Sequence, residues 1–246
     1  MQEHVEKALS TERGGSGDTT GSVSQRIALL QASPLFSNIP SADCATIISA
    51  AYEKQFARRQ TLYFEGDPVR HIVLLISGCV KVTQFGQSGS EVILRLNGPG
   101  EIVGTLGSRG AHCSTARTLQ LTSGLVWDAA SFEAMGECFP VLRRNTVCIL
   151  EQRLQEIEER FREISTEKVG PRLSSQLVRL LSQIGKRVNG DIEVSLSREE
   201  LAQLTGTTLF TVSRLLCQWE VKGIVSARRE AVLIRNLKAL VELGQS

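Results

Sequence analysis

Residues 197–225 decide the fold, and they read S-R-E-E-L-A-Q-L-T-G-T-T-L-F-T-V-S-R-L-L-C-Q-W-E-V-K-G-I-V. Ser197 and Glu200 stand three positions apart, which is the capping-box pattern that begins a helix, here over 198–204. Gly206 follows, and glycine takes the positive φ of a sharp turn without steric cost. Thr207 or Thr208 can then cap a second helix that extends to about residue 222. The stretch therefore predicts two short helices joined by a tight turn.

The second predicted helix has a buried face and an opposite face that is open to a partner. Apolar residues at helical spacing form the buried face, namely Val212, Leu215, Leu216 and Trp219. The opposite face carries Thr207, Phe210, Thr211 and Arg214. Two helices joined in this way form a helix-turn-helix motif, whose second helix enters the major groove of DNA. Arg214 can bind guanine O6 and N7 there, which is worth about 1 to 3 kcal/mol of base discrimination. The alternative is an arginine that contacts phosphate alone or nothing.

Residues around this helix are predicted to contact phosphate, which positions the helix without reading sequence. Gly223 ends the helix, and 224–227 and 231–235 then form a predicted two-stranded wing with a basic turn over 228–230. The residues expected to touch phosphate are Thr207, Thr211, Ser213, Arg228 and Arg229, and Thr208 completes the predicted DNA-binding set.

The charge distribution supports a DNA partner for this segment. The whole chain has a net charge of +2. Residues 169–246 hold 11 Lys and Arg against 7 Asp and Glu, while the residues before them hold 17 against 19. The basic surplus therefore lies in the part of the chain that contains the helix-turn-helix.

Several other classes of protein are not expected. No run approaches about 18 consecutive apolar residues, and no basic-then-apolar signal pattern opens the chain, so no membrane partner and a cytoplasmic location are expected. The six cysteines contain no Cys-x-x-Cys pair, which favours reduced thiols, most of them in the core, over disulfides or a metal site. No P-loop, zinc-protease or nucleophile-elbow motif is present, so an enzyme is not expected.

Two segments open the chain. Residues 1–24 are predicted to be a disordered tail, because a run rich in Gly, Ser and Thr supplies too little apolar surface to offset ordering. Residues 25–138 are predicted to form a β domain, whose short β-rich runs lie at 72–76, 80–85, 92–96 and 119–127. Glycines separate these runs, which indicates an antiparallel sandwich, roll or barrel.

Residues 139–168 are predicted to form one long helix. Its apolar residues repeat at intervals of three and four: Val147, Leu150, Leu154, Ile157, Phe161 and Ile164. Charged residues stand between them, so the stripe is typical of a coiled-coil seam between two copies, and the alternative is packing on the chain's own β domain. Gly170-Pro171 is predicted to break the helix and form a hinge. Residues 169–246 then form the last domain.

Five motifs follow one another along the chain: L-Y-F-E-G-D-P (62–68), I-S-G-C-V-K-V (76–82), G-P-G-E-I-V-G (98–104), S-T-E-K-V-G-P-R (165–172) and the helix-turn-helix over 197–225. Together and in this order they resemble those of the Crp/Fnr family of transcription regulators. The resemblance implies an α+β protein. It would contain an antiparallel, jelly-roll-like β-roll of the cyclic-nucleotide-binding type as the sensor domain, a long dimerisation helix, and a winged helix-turn-helix that reads a palindromic DNA site.

The resemblance also locates an effector pocket in the β-roll. In the family, a Gly-Glu pair holds the ribose of cyclic AMP and an Arg-Ser pair neutralises its phosphate. The first pair is Gly104-Thr105 here, and the second falls on His112-Cys113 or on Ser114-Thr115, neither of which has an arginine. A buried phosphate without a paired cation is electrostatically costly. We therefore expect that cyclic AMP does not bind in the usual way.

The family's other cofactors are not expected either. The oxygen sensors hold an iron-sulfur cluster on an N-terminal cysteine group, where this chain offers only Cys44. Haem-dependent members ligate iron through a histidine near the segment over 104–106, which lacks one. His71 is expected to be a surface residue, and His112 and Cys113 stay open as ligands or redox groups.

The recognition helix departs from the family pattern. The usual sequence is Glu-Thr-x-Ser-Arg or Glu-Thr-x-Gly-Arg, and here it is Phe210-Thr211-Val212-Ser213-Arg214. Phe210 replaces a glutamate that accepts a hydrogen bond from cytosine N4, and it could contact a thymine methyl instead. The half-site is therefore expected to differ from the family's usual one.

Three functions compete. The first is a homodimeric transcription factor whose β-roll senses a small molecule or a redox change. The second is a constitutive DNA-binding protein whose β-roll serves as a scaffold for dimerisation and for contact with RNA polymerase. The third is a regulatory module that acts on a protein partner through the winged helix, which the basic surplus and Arg214 disfavour.

Overall fold

The computed structural model describes residues 31–106 and 110–245, so the predicted tail over 1–24 lies outside the described residues. The described chain divides into two compact units: residues 31–85 and 94–157 belong to the N-terminal unit, and residues 158–245, together with 86–93, belong to the C-terminal unit. The N-terminal unit begins with a 3-10 turn (Pro34–Phe36) and helix α1 (Ser41–Ser49). The strands that follow are β1 (Tyr52–Phe56), β2 (Thr61–Tyr63), β3 (His71–Ser77), β4 (Val80–Phe85), β5 (Glu91–Asn97), β6 (Ile102–Val103), β7 (Thr115–Thr118) and β8 (Thr122–Asp128). Helices α2 (Ala129–Cys138) and α3 (Pro140–Thr166) come next.

The eight strands form two four-stranded sheets, with strand orders β1-β8-β3-β6 and β2-β7-β4-β5. The pairs β1–β8, β3–β8, β3–β6, β2–β7 and β4–β7 are antiparallel. The predicted α+β class, with an antiparallel two-sheet roll before the helices, is confirmed.

Strand β3 is buried on both faces, because its side chains alternate between two hydrophobic cores. Ile72 and Leu74 pack in a core formed with α1, α2 and α3, while Val73 and Leu75 pack in a second core with residues of both sheets. One strand therefore contributes to the packing of the helices on the roll and to the packing inside the roll.

Two polar side chains join helices to other elements of the N-terminal unit through hydrogen bonds. The indole nitrogen of Trp127 donates to the carbonyl oxygen of Ile47 at the end of α1, over 2.8 Å. The amide of Asn145 on α3 donates to the carbonyl oxygens of Leu35 and Ser37, at 2.9 and 2.8 Å. Because buried donors are nearly always paired, these bonds join β8 to α1 and α3 to the 3-10 turn at defined places.

Helix α3 ends at Thr166, and α4 (Val169–Ile184) begins three residues later. The prediction that Gly170-Pro171 breaks the helix is therefore wrong by a few residues, since this dipeptide lies in the first turn of α4. Proline is tolerated there because the first amides of a helix have no partner within the helix. The break lies at residues 167–168, directly before the first turn of α4.

The C-terminal unit continues from α4 with strands β9 (Lys186–Val188) and β10 (Asp191–Val194), helices α5 (Arg198–Thr205) and α6 (Leu209–Val221), strands β11 (Val225–Ala227) and β12 (Val232–Ile234), and helix α7 (Leu237–Leu243). The four strands form one sheet in the order β11-β12-β10-β9. The predicted wing is therefore the β11–β12 pair of a larger sheet, to which β9 and β10 add two strands.

The local signals that predicted the two helices are confirmed. The hydroxyl of Ser197 accepts from the Glu200 amide at 3.2 Å, and the Glu200 carboxylate accepts from the Ser197 amide at 2.8 Å. Gly206 has φ +60°, in the left-handed region, as its position between α5 and α6 requires. Of the two threonines that could cap α6, the structure selects Thr208, whose hydroxyl accepts from the Thr211 amide at 3.2 Å.

Candidate nucleic-acid interface and ligand pocket

Helix α6 separates apolar and polar residues as its spacing predicts. Val212, Leu216 and Trp219 are buried, and Leu215 is half-buried. On the other side, Phe210 and Arg214 are exposed, while Thr207, Thr211 and Ser213 are half-buried. The C-terminal unit therefore presents to solvent the side of α6 on which the sequence places base contacts.

An apolar residue beside Phe210 escaped the sequence analysis. Leu209 is 45% exposed and Phe210 is 84% exposed, so the first turn of α6 displays two adjacent hydrophobic side chains. Leu209 stands three residues before Val212, at the edge of the buried stripe, and this spacing hid its exposure. The first turn of α6 therefore offers a small apolar surface to a partner.

The two arginines of the predicted wing turn have different surroundings. Arg228 pairs with Glu193 of β10, at 3.3 Å between Nη1 and Oε2. Arg229 is exposed, without a hydrogen bond or ion pair to any residue of the described chain. An exposed pair such as Arg228–Glu193 is weak, so both arginines stay available to phosphate, but only Arg229 binds it without first releasing a carboxylate.

Arg172, which is buried in α4, donates hydrogen bonds to the turn before α6. Its Nε donates to the Thr205 carbonyl at 2.9 Å, and its Nη2 donates to the Gly206 carbonyl at 3.4 Å. Its Nη1 donates to the carbonyls of Ile164 and Glu167, at 3.4 and 3.2 Å. One guanidinium thus satisfies free carbonyls at the end of α3 and at the end of α5, which positions the turn that orients α6.

A second buried contact reinforces the same region. Glu163 of α3 is buried, and its carboxylate accepts from both terminal nitrogens of Arg179 on α4, at 2.6 and 2.8 Å. Burial lowers the pKa of Arg179, but the hydrogen bonds and charge of Glu163 more than offset that, so the pKa is raised. A bidentate pair of this kind fixes the orientation of both side chains.

In the N-terminal unit the predicted effector residues are only partly brought together. His112 is buried, and its Nδ1 lies 2.9 Å from the hydroxyl oxygen of Thr105. Gly104 adjoins this pair with φ +136°, and a Cβ there would lie 3.1 Å from Ile72. Burial lowers the pKa of His112, although Asp67 opposes the shift, so the neutral imidazole is favoured.

Tyr63 closes this pair from one side, which the sequence analysis missed. Its ring stacks on that of His112, with 3.5 Å between ring centroids and an interplanar angle of 8°. Ser114 and Thr115 are buried beside them, and the Thr115 hydroxyl accepts from the Glu65 amide at 3.1 Å. Cys113 instead has an exposed side chain. One of the two positions to which the resemblance assigns the phosphate contact is therefore a histidine whose neutral form is favoured and which lies within hydrogen-bond distance of Thr105.

The cysteines differ from the prediction in how many of them are buried. Cys44 and Cys79 are buried, but Cys113, Cys138, Cys148 and Cys217 are exposed, so the expectation that most cysteines lie in the core is wrong. Among the described residues, no three His, Cys, Asp or Glu side chains come together to bind a metal ion. None of the described helices combines the length and apolar character needed to span a membrane.

An antiparallel β-roll, a long helix and a winged helix-turn-helix together define a class of DNA-binding transcription regulators. Residues 53–137 match the cyclic nucleotide-binding domain, and residues 171–243 match the Crp-like helix-turn-helix domain. The chain belongs to the Crp/Fnr family of transcription regulators.

Characterised relatives agree with this assignment. The CRP-like cAMP-activated global transcriptional regulator of Mycobacterium tuberculosis is 24% identical over 216 residues, which are 86% of this chain and 96% of that protein. The cyclic AMP receptor protein of Thermus thermophilus is 26% identical over 218 residues, or 87% and 98% of the two chains. The structure of FixK2 from Bradyrhizobium japonicum has a TM-score of 0.71 at 22% identity, covering 78% of this chain and 96% of FixK2, and it shows the shared fold.

Proposed function

We propose that this regulator is a homodimer that reads a palindromic DNA site through α6, and that its β-roll responds to a small-molecule or redox signal other than cyclic AMP. The observation that carries the proposal is the apolar stripe of α3. Its six residues, Val147, Leu150, Leu154, Ile157, Phe161 and Ile164, are 40% to 72% exposed, so the chain does not bury them itself. A second copy would cover the stripe, and a two-fold dimer presents two recognition helices to two half-sites.

Independence from cyclic AMP is supported by the Thr105–His112 pair. The histidine nitrogen and the threonine hydroxyl are already bonded to each other, and Tyr63 lies flat against the imidazole. A cyclic nucleotide with its phosphate at His112 would have to break this arrangement and bury the phosphate beside an imidazole whose neutral form is favoured, which is unfavourable.

Base reading is assigned to Arg214 and Phe210. Arg214 is exposed on the face of α6 opposite Val212 and Leu216, where two hydrogen bonds to guanine are within the capacity of a guanidinium. Thr207, Thr208, Thr211, Ser213, Arg228 and Arg229 complete the proposed surface as phosphate contacts.

The test is selection of bound sequences from a random DNA pool by the full-length protein, repeated with a thiol oxidant and with cell extract. We expect an enriched inverted repeat, and Arg214→Ala should lose selectivity at one base of each half-site. Selection that returns no inverted repeat under any condition would overturn the proposal. A repeat that is enriched only with oxidant or extract would identify a signal.

The second candidate is a constitutive regulator in which the roll supports dimerisation and contact with RNA polymerase. The closed Tyr63–His112–Thr105 arrangement favours it. Equal enrichment of the same repeat under all three conditions would support this candidate over a sensor.

A further inference from the structure

The start of α3 borders a cavity that is open to solvent. The cavity has a volume of about 550 Å³. Its lining residues come from the end of α2 and the start of α3: Gly136, Glu137, Pro140, Arg143, Arg144 and Val147. Val147 is also the first residue of the apolar stripe that the proposed dimer would bury. The cavity therefore lies beside the beginning of that stripe.

The helical repeat of the stripe continues into the cavity. The stripe residues alternate in steps of three and four, and the same alternation before Val147 reaches Arg143 and then Pro140. In a parallel two-stranded seam, equivalent positions of the two helices face each other across the two-fold axis. The two Arg143 side chains of a dimer would therefore meet at the axis, with Arg144 beside them.

The charged side chains of the cavity have no partner within their own chain. Glu137, Arg143 and Arg144 are exposed, and none of their side chains forms an ion pair or a hydrogen bond with another residue of the described chain. The first turn of α3 reads P-V-L-R, so it contains no acidic residue. The two arginines therefore add to the positive end of the helix dipole, where a carboxylate is favoured. A second copy supplies such a carboxylate, because it carries its own Glu137.

The N-terminal unit holds both walls of the cavity in place. Phe132 of α2 and Leu142 of α3 are buried in the same hydrophobic core. Asn145 of α3 is bonded to the 3-10 turn, and Arg153 of α3 donates to the carbonyl oxygen of Ile102 over 2.7 Å. Because α2 and α3 are both fixed in one unit, the acid and the arginines of the cavity are presented together, and association costs little backbone freedom.

We propose that this cavity is part of the interface between two copies of the chain, where the Glu137 carboxylate of each copy binds the partner's Arg144 and the two Arg143 side chains meet at the axis. The inference rests on the homodimer of the proposed function and names polar contacts that complete its interface. Two-fold symmetry forms the ion pair twice. Charge pairs beside a seam set the choice and orientation of the partner, so these pairs favour a parallel arrangement of the two α3 helices.

The contact is tested with two charge reversals in the full-length protein, Glu137→Lys and Arg144→Glu. Each variant alone places like charges at both symmetric contacts, so we expect its dimer dissociation constant to rise about tenfold, as measured by sedimentation equilibrium. A mixed dimer of the two variants regains an attractive pair at both contacts. In an equimolar mixture we therefore expect heterodimers in large excess over either homodimer. A purification tag on one variant lets native mass spectrometry resolve the three dimers.

The mixture separates a contact between copies from a contact within one chain. If Glu137 paired with Arg144 of its own chain, each variant would keep its like charges after mixing, and heterodimers would form only in the statistical proportion. A statistical mixture would overturn the contact, and so would single variants that dimerise as tightly as the wild type.

Arg70→Glu is the matched control for Arg144→Glu, because it makes the same charge change at an exposed position of the same unit. Its dimer dissociation constant should equal that of the wild type. If Arg70→Glu weakens the dimer as much as Arg144→Glu does, the effect belongs to net charge and the contact is overturned.

Arg143→Leu tests the position of Arg143 at the axis. Replacing two facing guanidinium groups with apolar side chains removes a repulsion and extends the stripe by one position, so the dimer should become about threefold tighter or more. A weaker dimer would show that Arg143 binds a group of the partner, which would overturn the proposed arrangement at the axis.

These outcomes are distinguishable from failure of the proposed function. A wild type that sediments as a monomer would overturn the homodimer and this contact together. A dimeric wild type that selects an inverted repeat, while the two variants mix only statistically, would overturn the contact alone.

Discussion

Phe210 is 84% exposed on the first turn of α6, where a helix that enters the major groove meets base edges. Its aromatic ring has no hydrogen-bonding atoms, so the thymine C5-methyl is the group in the groove that it can contact favourably. Leu209 adds a second apolar side chain beside it. We therefore expect thymine in the half-site opposite this turn.

The thymine contact can be tested by removing only the C5-methyl group of the base. Replacing the contacted thymine of the selected site with uracil should weaken binding by about fourfold per half-site, which corresponds to one buried methyl group. Phe210→Ala should weaken binding to the thymine site and abolish the difference between thymine and uracil, as measured by fluorescence anisotropy. Val221→Ala is the control, since Val221 is as exposed but lies at the far end of α6. Equal affinity of the wild type for both sites would refute the contact.

His112 makes the stability of the β-roll depend on pH. Its pKa in the folded protein is lowered from the ordinary 6.5 by burial, so the unfolded chain binds a proton more readily than the folded one. The stabilisation is present above pH 6.5 and is lost as the pH falls below it. We expect the thermal midpoint of His112→Gln to fall less than that of the wild type between pH 7 and pH 5.

His71→Gln is the matched control for this effect, because His71 lies at the exposed start of β3. Its thermal midpoint should follow that of the wild type across the same pH range. A midpoint of His112→Gln that falls as steeply as the wild type's would assign the pH dependence to other groups.

Helix α3 is the element on which the proposed dimer depends. Leu154 lies in the middle of the exposed stripe and is 57% exposed, so a charge there leaves the single chain folded but disrupts a seam. We expect Leu154→Glu to sediment as a monomer in analytical ultracentrifugation and to lose most of its affinity for the palindromic site. Glu151→Gln, an exposed position between seam residues, should remain a dimer. A dimeric Leu154→Glu protein would assign the stripe another role.

The elements that the sequence predicts well are those specified locally. The capping box, Gly206 and the buried stripe of α6 depend on residues within one or two turns of each other, and all are confirmed except that Leu215 is only half-buried. The break after α3 was misplaced because its carbonyls are satisfied by Arg172, which also bonds to Thr205, 33 residues further along. Strand β9 was missed because Lys186 and Arg187 are exposed and give no alternating pattern.

The ligand pocket could be predicted only in part for a similar reason. Thr105 and His112, which pair with each other, are only seven positions apart, and both residues were in the predicted set. The stack of Tyr63 on His112 joins β2 to a segment 49 positions away, and the contact of Arg153 with Ile102 spans 51. Such contacts depend on the tertiary fold, which residue spacing does not supply. The predicted domain boundaries and DNA contacts remain predictions.

At the scale of the whole molecule, DNA binding should respond to salt according to the number of phosphate contacts in a dimer. Arg229 is exposed on the wing turn and is present twice in a homodimer. Arg229→Ala should therefore reduce the slope of log affinity against log salt by about 2, at roughly 0.9 per phosphate. Arg70→Ala, in the N-terminal unit, should leave the slope unchanged. A reduction of about 1 would indicate one wing contact per complex, and an unchanged slope would exclude the wing from the interface.

Strand β3 is buried on both faces, and this changes how its register in the sheet is specified. A slip by one residue normally moves apolar side chains into water, but in β3 it would only exchange the contents of two apolar cores. Polarity therefore specifies the register of this strand only through the polar residues at its two ends, His71 and Ser77. Gly124, paired with Leu75 on β8, can do so, because a Cβ at that position would lie 2.8 Å from the Leu74 carbonyl oxygen. A glycine without chemistry of its own thus selects one alignment of β3 among several that are equally hydrophobic.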